Sequence, residues 1–331
     1  MEQNQKILTK KQFSKLGLVF LAGTAVILGA QTAVTLIVEQ WRPQWLENPA
    51  IFLMLSVLPM YLIGMPVLIC LVKKIPGTAP AQHTMKVWEL LLALPMCYSV
   101  MYLSNLVGVV ITGILGLLKG APISNDVMDI ATNGNMAVNA FYMVLCAPIL
   151  EEYIFRKLII DRTLRFGQGV AILVSGLMFG LFHGNISQFV YATALGFFFG
   201  FIYVKTGKLK YTIGLHMFIN FFGAVVSVLV LKGIKYDEFL IVSEAGDAQA
   251  LMNFVMNNLV GFLTYMLYLG FIVVMVIAGV VLFIVYRKRF VMEPGEVSVP
   301  KGKRFSAIFL NFGMAGYCVL WIAIMVVRIV R

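Results

Sequence analysis

Residues 258–286 read NLVGFLTYMLYLGFIVVMVIAGVVLFIVY, a run of twenty-nine positions without one charged side chain. A bilayer's hydrocarbon core asks for about 20 consecutive apolar residues in a helix. Helices of water-soluble proteins average only about 11–12 residues and keep one polar face. A run this long and this apolar on every side has no place in a water-soluble core, so it reads as a transmembrane helix.

Eight further runs of the same kind flank it. Upstream lie Leu16–Val38, Ile51–Val72, Val87–Leu118, Met136–Phe155, Gln168–Ile186, Phe189–Val204 and Tyr211–Leu231, and downstream Phe305–Val327. The sequence therefore predicts an all-α, polytopic transmembrane helix bundle of nine spans, or eight if the short Phe189–Val204 is re-entrant. Composition agrees: 60% of residues are hydrophobic and 12% charged, against roughly a quarter charged in a soluble domain. The first run is too long for a signal-peptide core, and no small-x-small cleavage site follows before Glu39, so it is expected to be a retained span.

The net charge of +11 does not point to nucleic acid. The cations fall in short clusters between apolar runs, where loops meet anionic headgroups. With the N-terminus cytoplasmic, twenty of the 26 Lys and Arg residues fall in inside loops, counting Arg156, Lys157, Arg162 and Arg165 as one of them. That asymmetry predicts N-terminus in, C-terminus out and nine crossings. Two outer loops, 119–135 and 232–257, are long and polar, and the second has room for a surface helix. The four cysteines (Cys70, Cys97, Cys146, Cys318) stand apart inside apolar runs and are expected to be buried free thiols.

Ionisable groups inside a bilayer cost about 2.5 kcal/mol or more each, so the exceptions carry information. Glu89 begins its run and can reach the interface. Glu151 and Glu152 follow an apolar helix, while His183 and His216 lie within spans; only His83 is in an ordinary loop. Glu152 and Arg156 are four apart with the acid first, the favourable order for a helical ion pair. Glu151 is turned about 100° away, free to face the bundle. Pro148 is expected to kink this helix and free a carbonyl. The pairs His216 with Asn220 and Phe179 with His183 each share a helix face.

A carboxylate beside an imidazole can hold a water and take its proton, and a second imidazole with an amide can donate to an oxyanion. Alternatively Glu151, His183 and His216 could ligate a hydrolytic zinc ion with water in the fourth position. Taken singly, each group also has an ordinary structural reading: a solvated helix end for the glutamates, a bridging histidine, an interhelical asparagine.

Three motifs carry a resemblance. Glu151-Glu152-Tyr-Ile-Phe-Arg156, Phe179-Gly-Leu-Phe-His183 and His216-Met-Phe-Ile-Asn220 are similar to the EExxxR, FxxxH and HxxxN signatures of the CPBP intramembrane proteases. That family includes the type II CAAX prenyl endopeptidases and bacterial Abi proteins. The resemblance covers about residues 136–225, which divides the chain into N-terminal spans (1–135, three helices), a catalytic core (136–225), and an outer loop with two C-terminal spans (226–331).

The resemblance implies an intramembrane endopeptidase acting near the cytoplasmic face. In it Glu151 activates water with His183, His216 and Asn220 stabilise the oxyanion, and Arg156 orients Glu151 and Glu152. It leaves zinc against a metal-free glutamate mechanism open; Asn220 is a poor zinc ligand, so the expectation is no cofactor, with Zn2+ at Glu151, His183 and His216 as the alternative. The implied partners are a peptide or protein substrate at the membrane and the lipid bilayer. A bacterial plasma membrane is the expected location, with pheromone or bacteriocin processing, or immunity, as the role. A non-catalytic scaffold or immunity protein, and a proton-coupled transporter, are the competing functions. One depth is awkward: a helix entering at Gln168 puts His183 about 22 Å along, deeper than a Glu151 near its own helix end. A tilted helix or a water-filled cavity is expected to reconcile them.

Overall fold

The computed structural model describes residues 2–123, 135–297 and 301–330, and among them there are helices and turns but no strands. The helices are α1 (Glu2–Trp41), α2 (Pro49–Lys73), α3 (Val87–Lys119), α4 (136–163), α5 (Gln168–Phe182) and α6 (Ile186–Thr206). They are followed by α7 (Leu209–Gly233), α8 (Tyr236–Glu244), α9 (Ala248–Asn257), α10 (Leu259–Arg289), α11 (Arg304–Ile308) and α12 (Phe312–Val330). All nine apolar runs contain a helix, the last being broken at residues 309–311 between α11 and α12. Seven of the helices are long and apolar enough to cross a bilayer, and the chain is a multi-pass membrane bundle.

The remaining two runs fall short for different reasons. Helix α5 has 15 residues, about 22 Å of rise against a hydrocarbon core of about 30 Å. Helix α4 carries Glu151, Glu152, Arg156, Lys157, Asp161 and Arg162. The loop 232–257 holds two helices, α8 and α9. Residues 124–134 of the other outer loop lie outside the described residues.

Local chemistry sets the ends. Asn48, Asn135 and Asn185 cap α2, α4 and α6, each side chain accepting from backbone N–H groups of the first turn, which otherwise lack partners. Glu89 sits in the first turn of α3, where its carboxylate accepts the N–H of Lys86 at 2.8 Å.

Exposed apolar residues mark the lipid-facing surface. On α10, Val260, Leu267, Val274 and Val281 are all exposed and recur every seven residues, one stripe of a helix. Inside, α5 is buried along almost its whole length. It is clasped by α4, α6 and α12, with Tyr317 of α12 donating to the carbonyl of Met178 at 2.8 Å. The first and last helices meet at Gly17 and Gly313. A Cβ on Gly313 would collide with the backbone of Ser14, and its N–H donates to Ser14 Oγ at 3.2 Å, a small-residue contact suited to helices in lipid.

Three expectations need correction. Arg156 and Arg162 are not loop charges: they sit on α4, 0% and 8% exposed, because the helix runs on past Phe155 through a wide i→i+5 segment to residue 163. That extension also removes the depth conflict. Glu151 lies twelve residues before the end of α4, about 18 Å, and His183 about 22 Å beyond the start of α5, so the antiparallel pair places them at similar depth. Finally, Cys70 is exposed rather than buried; all four cysteines are free.

Candidate active site

Glutamates 151 and 152 come from the middle of α4, where the backbone changes register. A first wide turn spans Phe141–Cys146 and a second Glu152–Ile160; such turns widen the helix and re-aim side chains, often at functional sites. In the first, Ala147 N–H bonds to Tyr142 O, five residues back. The next donor in that register would be residue 148, which is proline and has none. The orphaned carbonyl is that of Met143, and Asn220 Nδ2 of α7 donates to it at 2.7 Å. The carbonyl expected from Pro148 thus has an identified acceptor role, and it ties α4 to α7.

Glu152 is fully buried. Its Oε2 takes Arg156 Nε at 3.0 Å, an ion pair with both side chains 0% exposed, as the four-residue spacing predicts. Its Oε1 lies 3.0 Å from His216 Nδ1; with Glu152 ionised against Arg156, the ring nitrogen is the donor. Arg156 is further held by Phe179, whose ring lies 4.3 Å beneath the guanidinium, and by Ser175, whose hydroxyl accepts Nη1 at 3.4 Å and donates to the carbonyl of Phe155 at 2.7 Å. Burying a charge is tolerable only with partners of this kind, although Arg156 Nη2 itself has no hydrogen-bond partner among the described residues.

Glu151 is different. Its side chain keeps 16% exposure and its Oε2 lies 3.7 Å from His216 Nε2, too long for a direct hydrogen bond. His216 therefore sits between the two glutamates, bonded to Glu152 through one nitrogen and turned to Glu151 with the other. Its ring also packs against Phe199, 5.6 Å between centroids.

His183, just past the end of α5, has Nδ1 2.9 Å from the carbonyl of Phe179. That carbonyl can only accept, so Nδ1 carries the proton and Nε2 is left as an acceptor. Phe179 meets both histidines edge-on, 4.8 Å from His183 and 5.9 Å from His216. The structure thus gathers Glu151, Glu152, Arg156, His183 and His216 around one phenylalanine, with Asn220 one turn beyond His216 on α7.

Sequence reasoning passed over Ser175, Phe199 and Met143. Ser175 was within reach, because it stands four residues before Phe179 and eight before His183, on the same face of α5. Nothing in the sequence marks Met143, a partner through its backbone alone.

A zinc ion held by Glu151, His183 and His216 would need three converging donors. Glu151 and His216 approach each other, but no group of three or more His, Cys, Asp or Glu side chains among the described residues is arranged to hold a metal ion. In each histidine Nδ1 is engaged and Nε2 is free, which is also the usual arrangement of a metal-ligating imidazole.

Comparison with known proteins agrees with the motif resemblance. Residues 133–222 match a family model described as type II CAAX prenyl endopeptidase Rce1-like, a stretch that holds every residue of the cluster. The "Membrane-embedded CAAX protease MroQ" of Staphylococcus aureus (strain USA300) is 30% identical over 156 residues, 45% of this chain and 60% of that protein. The "Putative membrane peptidase YdiL" of Bacillus subtilis (strain 168) is 34% identical over 88 residues, 25% of this chain and 35% of that protein. The chain therefore spans less than two thirds of the length of these relatives. No solved structure matches it.

Proposed function

We propose that the chain is an intramembrane endopeptidase that hydrolyses a peptide bond in a membrane-associated peptide or protein, with Glu151 as general base. The asymmetry of the glutamate pair carries this reading. Glu152 is buried, ion-paired and hydrogen-bonded, a carboxylate with both oxygens engaged and closed off from water. Glu151, its neighbour, is partly open and faces an imidazole at 3.7 Å without a direct bond. A base must reach a water, and of the two glutamates Glu151 is the one placed to do so.

In the proposed reaction a water lodges between Glu151 and the free Nε2 of His183, both acceptors, so its two hydrogens point at them and its lone pair at the substrate carbonyl. Glu151 takes one proton as the oxygen attacks. The oxyanion then needs donors. In its imidazolium form His216 offers Nε2–H; Asn220 has a second amide hydrogen beyond the one given to Met143. Arg156 holds Glu152, and Glu152 holds the His216 ring, so both act as positioning residues. Glu151 returns its proton to the leaving amine. The resemblance to membrane CAAX proteases supports a substrate at the bilayer surface; peptide-pheromone or bacteriocin processing, or immunity, is the class of role proposed for it.

Purified protein in nanodiscs, incubated with a library of membrane peptides, tests the reading. Wild type is expected to cut, Glu151→Gln to be inactive, and a zinc chelator to leave the rate unchanged. Loss of activity on chelation with recovery on added zinc would overturn the metal-free mechanism. Cutting that survives Glu151→Gln would overturn the base assignment, and a wild type that binds peptides without cutting them would leave a scaffold.

A further inference from the structure

A cavity lies at one end of the bundle, between the start of α3 and the ends of α6 and α10. Its volume is about 390 Å³, within the range of small-molecule sites. Its walls are apolar, from Leu92, Met96, Phe198 and Ile202, and its mouth carries Trp88, Tyr286, Lys205 and Arg289. The mouth is built where three loops converge: His83 N–H bonds to the carbonyl of Thr206, Lys208 reaches Thr84, and Lys205 pairs with Glu293.

The charges at the mouth are unevenly satisfied. Glu89 is occupied by the backbone of Lys86 at 2.8 Å, and Lys205 has Glu293 at 3.2 Å. Arg289 stacks on Tyr286 at 5.0 Å and has no carboxylate within ion-pair distance among the described residues. Lys86, next in sequence to Met85 of the lining, and Arg287 and Lys288, next to Arg289, are exposed cations. A guanidinium free to fork onto an anion, set above an apolar channel and flanked by a tryptophan and a tyrosine, has the order of groups found down a phospholipid: phosphate, interface, hydrocarbon. Between Trp88 and Met96, α3 offers about 12 Å of channel. None of Glu151, His183 or His216 lines the cavity. Phe198 turns to the groove while the next residue, Phe199, packs on His216, so α6 stands between the two. A substrate seated here would not present a bond to Glu151.

We propose that this groove is a binding site for an acidic phospholipid, its phosphate on Arg289 with Lys205 beside it and one acyl chain running past Trp88 toward Met96. The site is independent of the hydrolytic reading and would persist in a protein that cuts nothing.

Trp88 provides the measurement. Full-length protein is placed in phosphatidylcholine nanodiscs doped with either phosphatidylglycerol or phosphatidylcholine brominated on the acyl chain. The Trp88 contribution is the difference between wild type and Trp88→Phe. Bromine on phosphatidylglycerol should quench Trp88 at about fivefold lower mole fraction than bromine on phosphatidylcholine, the weight of one well-placed cation at a membrane surface. Arg289→Gln, a change at an exposed residue, should bring the two curves together, and Leu92→Phe, which narrows the channel, should weaken quenching by both lipids. Equal quenching by both lipids in the wild type, a preference undiminished in Arg289→Gln, or quenching by peptide substrate instead of lipid would each overturn the proposal.

Discussion

Asn220 donates its side-chain amide to the carbonyl of Met143 at 2.7 Å, and that carbonyl is the one Pro148 leaves without a backbone donor. The family-type asparagine thus has a structural bond as well as a proposed catalytic one, and the two can be separated. Asn220→Ala leaves a part-buried carbonyl unpaired and should cost about 1–3 kcal/mol. In a Pro148→Ala background residue 148 regains an N–H, so the same Asn220→Ala change should cost less than half as much. Thermal unfolding in detergent of the two single variants and the double variant measures this coupling. Additive losses would mean that Pro148 and Asn220 are unrelated. Activity, by contrast, should not return in the double variant, because the oxyanion donor is still missing.

The Arg156–Glu152 pair makes a sharper stability prediction. Both side chains are 0% exposed, so removing one strands the other. Arg156→Ala should destabilise by about 3–5 kcal/mol. Arg156→Lys should recover only part, since an ammonium cannot both bond Glu152 and lie flat on Phe179. The double change Glu152→Gln with Arg156→Met removes both charges and should be more stable than Arg156→Ala alone, by chemical unfolding. If the double variant is the weaker one, the pair is contributing net stability and the desolvation argument fails.

The helices were legible because apolar runs of this length have one explanation, and the i, i+4 pairs Glu152–Arg156 and His216–Asn220 were legible because helix geometry is fixed. The extent of α4 was not. Arg156, Lys157, Asp161, Arg162 and Arg165 look like a polar connection, and hydropathy cannot tell a loop from a buried helix whose charges are internally paired. Arg162, for instance, is satisfied by the carbonyls of Val72 and Leu158 at 2.7 and 3.0 Å, and the first of these is in reach only once α2 is in place. For the same reason spacing gives Glu152 a cation, but only tertiary packing makes it the fully buried one of the pair. Phe179 appeared in the sequence as a motif letter; its part as the common surface for Arg156, His183 and His216 needed coordinates.

Close approach of the terminal helices supports the site from a distance. Gly313 of α12 lies against the backbone of Ser14, and one turn on, Tyr317 holds the carbonyl of Met178, the residue before Phe179. Gly313→Val should force α1 and α12 apart and cost about 1–3 kcal/mol. It should also lower peptidase activity, through Tyr317 and α5, although residue 313 is outside the cluster. Gly29, with open space around its Cβ position, is the control: Gly29→Val should leave unfolding temperature and activity close to wild type. Equal effects at both positions would remove the case for a specific contact.

The two glutamates, adjacent in sequence, should fail in different ways. Glu151 is partly exposed and makes no direct hydrogen bond to His216 at 3.7 Å, so Glu151→Gln removes little packing and should shift stability by no more than about 0.5 kcal/mol. If it is the base, the same change should reduce kcat about 10²–10⁴-fold, with KM nearly unchanged. Glu152→Gln leaves Arg156 buried against a neutral amide and loosens His216 Nδ1. It should lower the unfolding temperature and reduce activity together, and compensating Arg156→Met should restore the temperature but not the rate. The comparison needs unfolding curves and initial rates on the same preparations. A stable but inactive Glu151→Gln beside an unstable Glu152→Gln assigns chemistry to the first and positioning to the second. If instead Glu151→Gln unfolds as readily as Glu152→Gln, Glu151 is part of the scaffold, and the base must be sought at His183.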